Sequence, residues 1–212
     1  IPMLPKKPRY DVFRDFAPVT LVSKSPYIMV VHPAVPAKTL QEFVALAKER
    51  PGKLNYASSG NGTGVHLTSE MFKHTTGINM AHVPYKSAGP ATIALLSGEV
   101  EVMLNNMIPA MPHLRSGKLR ALAVTGSQRS SVAPQVPTVA ESGYPNFEAT
   151  SWQGVVVRAG APPEIVARLN REIVKILNKP EVKSSIENDG NVVIANSPEE
   201  FMAFLRVESK KL

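Results

Sequence analysis

The residues best placed to do chemistry lie in one stretch, Asn55 to Leu67, NYASSGNGTGVHL. Gly60, Gly62 and Gly64 alternate with Asn61 and Thr63, behind Ser58 and Ser59. A run with strand character, Lys53 to Ala57, enters this loop, and a helical pattern leaves it near Val65. A glycine-rich turn into a helix start exposes backbone N–H groups that lack an intrahelical partner, at the positive end of the helix dipole. Ser58, Ser59, Asn61 and Thr63 add hydroxyl and amide donors. The chemistry implied is binding of an anion, and nothing in the stretch implies turnover. His66, in the first turn of the helix, either faces that ligand or packs on the sheet.

Other chemistries find little support. His32, His66, His74, His82 and His113 form no HExxH and pair with no nearby acids, so no metal site is expected. The only aspartates are Asp11, Asp15 and Asp189, which leaves few sources for paired acid–base carboxylates. Gly60 and Gly62 begin a GxGxxG pattern, but Val65 stands at its last glycine. No acid follows about 20 residues on to hold a ribose. GK[ST] and GxSxG are both missing, so neither a phosphate loop nor an esterase elbow is present, and no cofactor is expected. The chain has no cysteine, which excludes disulfides and thiolate chemistry while deciding nothing about compartment.

At 212 residues the chain can form one large or two small domains, each with a core. No apolar run approaches the ~20 residues of a membrane span, and Ile1 to Phe16 holds no apolar signal-peptide region. The net charge of +7 is unevenly placed. Between Met71 and Ala140 the only carboxylates are Glu99 and Glu101, against Lys73, Lys86, Arg115, Lys118, Arg120 and Arg129. A region poor in negative charge favours an anionic ligand. Nucleic acid is not an expected partner, because the charges are scattered and no binding motif accompanies them.

The elements that position the loop follow from periodicity and punctuation. Ile1 to Asp15 reads as a connecting arm. Two strand-like runs, APVTLVS and YIMVVH, are expected on either side of Lys24 to Pro26. Thr39 and Glu42 form a capping box for a helix that Pro51 and Gly52 stop. After the loop, the helix from Val65 ends at Gly77, Ile78 to Pro84 reads as a strand, and Gly89 and Pro90 open a helix ending near Gly98. Val100 to Leu104 has strand alternation, with Asn105 and Asn106 at its end. Pro109 opens a helix closing at Gly117, Arg120 to Val124 is a strand, and Thr138 with Glu141 makes a second capping box. Thr150 to Val157 is a strand. The clearest helix follows Pro162 and Pro163, with Ile165, Leu169, Ile173, Ile176 and Leu177 on its apolar face. A shorter helix after Pro180, a strand at Val192 to Ile194 and a helix capped by Ser197 complete the chain. Strands alternating with helices predict an α/β fold with a largely parallel sheet, in which ligands gather beyond the carboxyl ends of strands. That rule places Ser58 to Gly64 within reach of Asn105.

Six segments in order, NYASSGNGTGVHL, AHVPYKSAGPA, LLSGEVEVMLNN, SGKLRALAVT, VPTVAESGYPNFEATSW and APPEIVARLNREI, resemble signature blocks of the Bug family. These are the extracytoplasmic solute receptors of tripartite tricarboxylate transporters, and the resemblance covers Phe16 to about Phe204. It implies a type II periplasmic-binding-protein fold, two α/β lobes that close over a small carboxylate, and no enzymatic activity. Carried over, residues 1–24 would be partial lobe one and a crossing segment, 25–146 a complete lobe two, and 147–212 the return crossing and more of lobe one. The family's opening strand and glycine loop have no counterpart here, so the chain resembles a receptor lacking its first quarter and a short last segment. An incomplete lobe one would expose apolar surface and self-associate. Ala94 and Asn105 stand where the family often carries acids.

The expectation is therefore a periplasmic solute-binding protein that passes a small mono- or dicarboxylate to membrane subunits. Its site comprises Ser58, Ser59, Gly60, Asn61, Gly62, Thr63, Gly64, His66 and Asn105. The alternative is the ligand-sensing effector domain of a regulator, which shares this type of fold. A third reading, an acyl or phosphoryl transferase using the same loop, lacks a nucleophile–base pair.

Overall fold

Sixteen consecutive residues, Phe16–Val31, are extended as one strand, β1, in the computed structural model, which describes residues 9–211. The two runs expected on either side of Lys24 to Pro26 are thus continuous. Their ladder partners change there: Ser23 and Lys24 pair with β7 (Val192–Val193), and Tyr27 onward pairs with β4 (Val102–Asn106). Pro26, which cannot donate to a ladder, falls between these two pairings. The change of partner also divides the chain. Of the described residues, those up to Ser25 and from Trp152 onward form one compact unit, and Pro26–Ser151 form the other.

The unit Pro26–Ser151 is a five-stranded sheet in the order β3 (Ala81–Pro84), β2 (Asn55–Ser58), β4, β1, β5 (Arg120–Val124). β2 runs parallel to β3 and β4, whereas β1 runs antiparallel to β4 and β5. The sheet is therefore mixed, and the expected parallel character holds for three strands. Direction is a property of pairing, which local periodicity does not encode. Helices α2 (Leu40–Glu49), α3 (Gly64–Thr76), α4 (Ala88–Ser97) and α5 (Met107–Arg115) cover it. The core joins Ile28, Val30, Phe43, Tyr56, Phe72, Leu95, Met103 and Leu122, each nearly or wholly buried. The helix ends obey the sequence. Thr39 and Glu42 form the capping box of α2, and left-handed Gly77 and Gly98 end α3 and α4. Thr138 and Glu141 exchange both capping-box hydrogen bonds around a turn instead of a helix.

The other unit is thinner. The first half of β1 pairs with β6 (Thr150–Arg158) and β7, beside α6 (Pro163–Leu177), α7 (Pro180–Asn188) and α8 (Pro198–Lys211). Its buried core is Leu21, Phe201 and Leu205, with Ile194 and Phe204 against it. Gly154 fits there because a Cβ would run into the Phe201 ring. On α6 only Leu177 is buried, and Ile165, Leu169 and Ile176 are 45%, 36% and 50% exposed. The apolar stripe read from the sequence exists, but most of it faces no partner among the described residues. A one-turn helix, α1 (Val12–Asp15), capped by the Asp11 carboxylate, occupies the end of the expected arm. Residues 1–8 of that arm lie outside the described residues.

Candidate functional site: the carboxyl edge of strands β2, β3 and β4

Because β2, β3 and β4 run parallel, their carboxyl ends, Ser58, Pro84 and Asn106, lie at one edge of the sheet. A helix follows each: α3, α4 and α5. Three helix N-termini therefore leave the edge where an α/β sheet gathers its ligands. Tyr85 ties the first two connections together, its N–H donating to Ser58 O at 3.0 Å.

The glycine loop is folded on itself. The Gly60 N–H donates to Ser58 Oγ at 3.2 Å, the Gly62 N–H to His66 Nδ1 at 3.0 Å, and the Thr63 N–H to Gly60 O at 3.3 Å. Thr63 caps α3, accepting the His66 N–H at 3.4 Å while its hydroxyl donates to Gly60 O at 2.8 Å. Gly60 at φ 125° and Gly62 at φ 77° adopt backbone that side chains disfavour. Gly64 has no such φ; it is small because a Cβ would overlap the Tyr27 hydroxyl. The loop's remaining donors are the N–H groups of Ser59, Asn61, Gly64 and Val65, which have no protein partner among the described residues. The side chains of Ser59 and Asn61 also have none.

The loop residues expected from the sequence are thus adjacent, but they do different work. Ser59, Asn61 and Gly64 present open donors. Ser58 is wholly buried, with its hydroxyl 2.6 Å from His82 Nε2. Gly60, Gly62 and Thr63 hold the loop's shape. His66 faces Gly62 and stacks on His82, ring centroids 4.1 Å apart at 10°, and His82 stacks in turn on Tyr56 at 4.7 Å and 13°. Behind the stack, the Tyr56 hydroxyl donates to Glu70, and Lys73 pairs with Glu70 at 2.8 Å. Burial raises the Glu70 carboxyl, but the bonds from Lys73 and Tyr56 outweigh it and hold it below the usual range. Burial, followed by the charge of His66, pushes His82 below an ordinary imidazole.

Asn105 is not brought to this edge as a ligand group. It is wholly buried, donating to Thr92 Oγ1 at 3.2 Å and accepting the Asn106 N–H at 2.8 Å. Neighbouring strand residues point to opposite faces, so the accessible asparagine is Asn106. It is half-buried, stands at the N-cap of α5, and its side chain has no protein partner among the described residues. Lys86 and Ser87 were also missed. Lys86 is exposed and unpaired among the described residues, and Ser87 is the N-cap of α4 with no side-chain capping bond. Their signal was Pro84 closing a strand two residues ahead of Ser87, with Gly89 and Pro90 opening a helix. Of the other cations in the acid-poor stretch, Arg120 donates to the Val35 and Ala37 carbonyls and Arg129 pairs with Glu141, so neither is a spare charge. Among the described residues no group of His, Asp and Glu could hold a metal ion, and no helix is long and apolar enough to cross a membrane.

Residues 1–212 match the family described as tripartite tricarboxylate transporter family receptor. The chain is 36% identical over 209 residues to protein BugT of Bordetella pertussis, covering 99% of this chain and 64% of BugT. It therefore spans just under two thirds of that relative. The structure of R. palustris Rpa4515 with adipate superposes with a TM-score of 0.89 at 30% identity, covering 97% of this chain and 69% of that one. MatC from Rhodopseudomonas palustris with bound malate gives 0.87 at 30% identity, covering 99% and 72%. The chain belongs to the tripartite tricarboxylate transporter receptors, the Bug family of solute-binding proteins.

Proposed function

We propose that this chain is the ligand-binding portion of a periplasmic receptor that captures a small mono- or dicarboxylate and delivers it to the membrane subunits of a tripartite tricarboxylate transporter. The observation that carries this reading is the set of open backbone donors at Ser59, Asn61 and Gly64, where α3 begins. A carboxylate accepting two or three such N–H groups makes charge-assisted hydrogen bonds, stronger than neutral ones, without requiring a cation. Lys86, Ser87 and Asn106, from the same sheet edge, would orient the rest of the ligand. Similarity to receptors holding adipate and malate supports a dicarboxylate. In this reading the chain binds and hands over, and performs no reaction.

The test is calorimetric titration of the receptor, at the length of its relatives, against a panel of mono- and dicarboxylates that includes adipate and malate. At least one member is expected to bind. Asn61→Gly should preserve that affinity within a few-fold if backbone donors dominate, since glycine keeps the N–H. A panel with no binder would sink the proposal.

A further inference from the structure

The bond from Gly62 to His66 fixes a protonation state. A backbone N–H has no lone pair, so the ring nitrogen 3.0 Å from it, Nδ1, must be the acceptor, and the neutral imidazole carries its proton on Nε2. The ring is held in that orientation from its other face, where His82 stacks on it at 4.1 Å. His82 Nε2 lies 2.6 Å from Ser58 Oγ, which accepts the Gly60 N–H. Two loop amides in disfavoured backbone thus depend on two stacked histidines, Gly62 directly and Gly60 through Ser58.

We propose that His66 is a positioning residue which, as a neutral Nδ1 acceptor, holds Gly62 in its left-handed conformation, so that protonation of His66 releases the anion loop. The consequence for binding rests on the reading that this loop holds the ligand carboxylate. Protonated Nδ1 presents N–H to N–H, and the tie between loop and helix is lost. The groups set against His66 are His82 from β3, stacked on its ring, and Glu70 from α3 itself; behind them Tyr56 of β2 stacks on His82 and Lys73 pairs with Glu70. Burial and the neighbouring His66 disfavour the cationic form of His82.

The direct test follows the Gly62 amide and the His66 and His82 ring signals by NMR between about pH 5 and 8. The Gly62 amide is expected to titrate with the same midpoint as the His66 ring. Its protection factor, the intrinsic exchange rate at each pH divided by the observed one, should fall about tenfold on the acid side of that midpoint, the effect of losing one hydrogen bond. His66→Asn places a non-titrating Oδ1 where Nδ1 stood, and should keep the Gly62 amide protected and flat. His66→Leu should leave it unprotected at every pH. A Gly62 amide that stays flat while His66 titrates, or whose exchange is unchanged in His66→Leu, overturns the proposal. In a second arm, adipate is titrated calorimetrically at about pH 7.5 and about pH 5.5, either side of an ordinary imidazole. The wild type should weaken about three- to tenfold on acidification, and His66→Asn should not. Adipate affinity that is the same at both pH values in the wild type overturns release. If neither adipate nor any other acid of the panel binds at either pH while Gly62 still titrates with His66, the positioning role stands and the carboxylate reading falls.

Discussion

Gly64→Ala is the sharpest test of why the loop has its sequence. Alanine is the better helix former by about 0.8–1 kcal/mol in a helix interior, and Gly64 opens α3 with no unusual φ, so propensity alone predicts a gain. The structure predicts a loss, because the added Cβ would overlap the Tyr27 hydroxyl, and Tyr27 is only 5% exposed. Forcing a methyl group into packed surroundings costs about 1–3 kcal/mol, so the expected gain is cancelled or reversed, with a net destabilisation of up to about 2 kcal/mol. The next ring atom, Tyr27 Cζ, stands 3.4 Å from the Cβ position, so removing the hydroxyl relieves the overlap. Tyr27→Phe alone should cost about 1 kcal/mol, since that hydroxyl is bonded to Ser151. The double variant should then be at least as stable as Tyr27→Phe, giving a coupling of about 1–3 kcal/mol, the relieved overlap, in a double-mutant cycle. The assay is thermal and urea unfolding of the four proteins, followed by hydrogen exchange of α3 to confirm which unit responds. A Gly64→Ala protein more stable than wild type, or strict additivity with Tyr27→Phe, would refute the packing argument.

Asn105→Ala should lower stability by about 1–3 kcal/mol, because it removes the buried amide that donates to Thr92 and accepts the Asn106 N–H, whereas Asn106→Ala should spare the melt and weaken ligand binding about three- to tenfold. Unfolding curves and calorimetry on the same pair check both halves. The depressed Glu70 carboxyl contributes stability that is fully present above the unfolded carboxylate pKa and lost as pH falls through its lower folded value. Lys73→Met should therefore shift the acid-unfolding midpoint upward, and an unchanged midpoint would remove the pair from the account. The bare face of α6 predicts self-association, so sedimentation should show oligomers that Leu169→Glu disperses, and a monomeric wild type would contradict it.

Most of the elements could be read because their signals are local. Thr39 with Glu42, Gly77, Gly98, Pro163 and Pro180 mark helix ends through a hydrogen bond, a left-handed residue or a missing donor, all within a few residues of sequence. The continuity of β1 was hidden because proline usually interrupts a ladder, and only the change of partners at Pro26 makes it harmless. The direction of β1 was hidden for the related reason that pairing is non-local. At the site, composition located the loop but could not divide its residues into donors and braces. Asn105 was preferred to Asn106 because it stands at the strand's carboxyl end and where the family often carries an acid. The choice between adjacent strand residues depends on which face the pleat turns to the core, and the strand's last residues carry too little pattern to show it.

The division between braces and donors bears on what the receptor can discriminate. Gly60, Gly62 and Thr63 donate inward and His66 is both capped and capping, so the loop's shape is set before any ligand arrives. Under the proposed function, ordering it on binding would cost little, and the open N–H groups of Ser59, Asn61 and Gly64 would exchange water for carboxylate oxygens. Such donors read charge and planarity, which adipate and malate share, and say nothing about chain length or a hydroxyl group. Choice among carboxylates must come from side chains that can change without disturbing the loop. On this edge those are Lys86, Ser87 and Asn106, each at the mouth of a helix and none engaged in bracing. Substitutions there should alter which acid binds, whereas substitutions at Gly60 or Gly62 should weaken every acid alike.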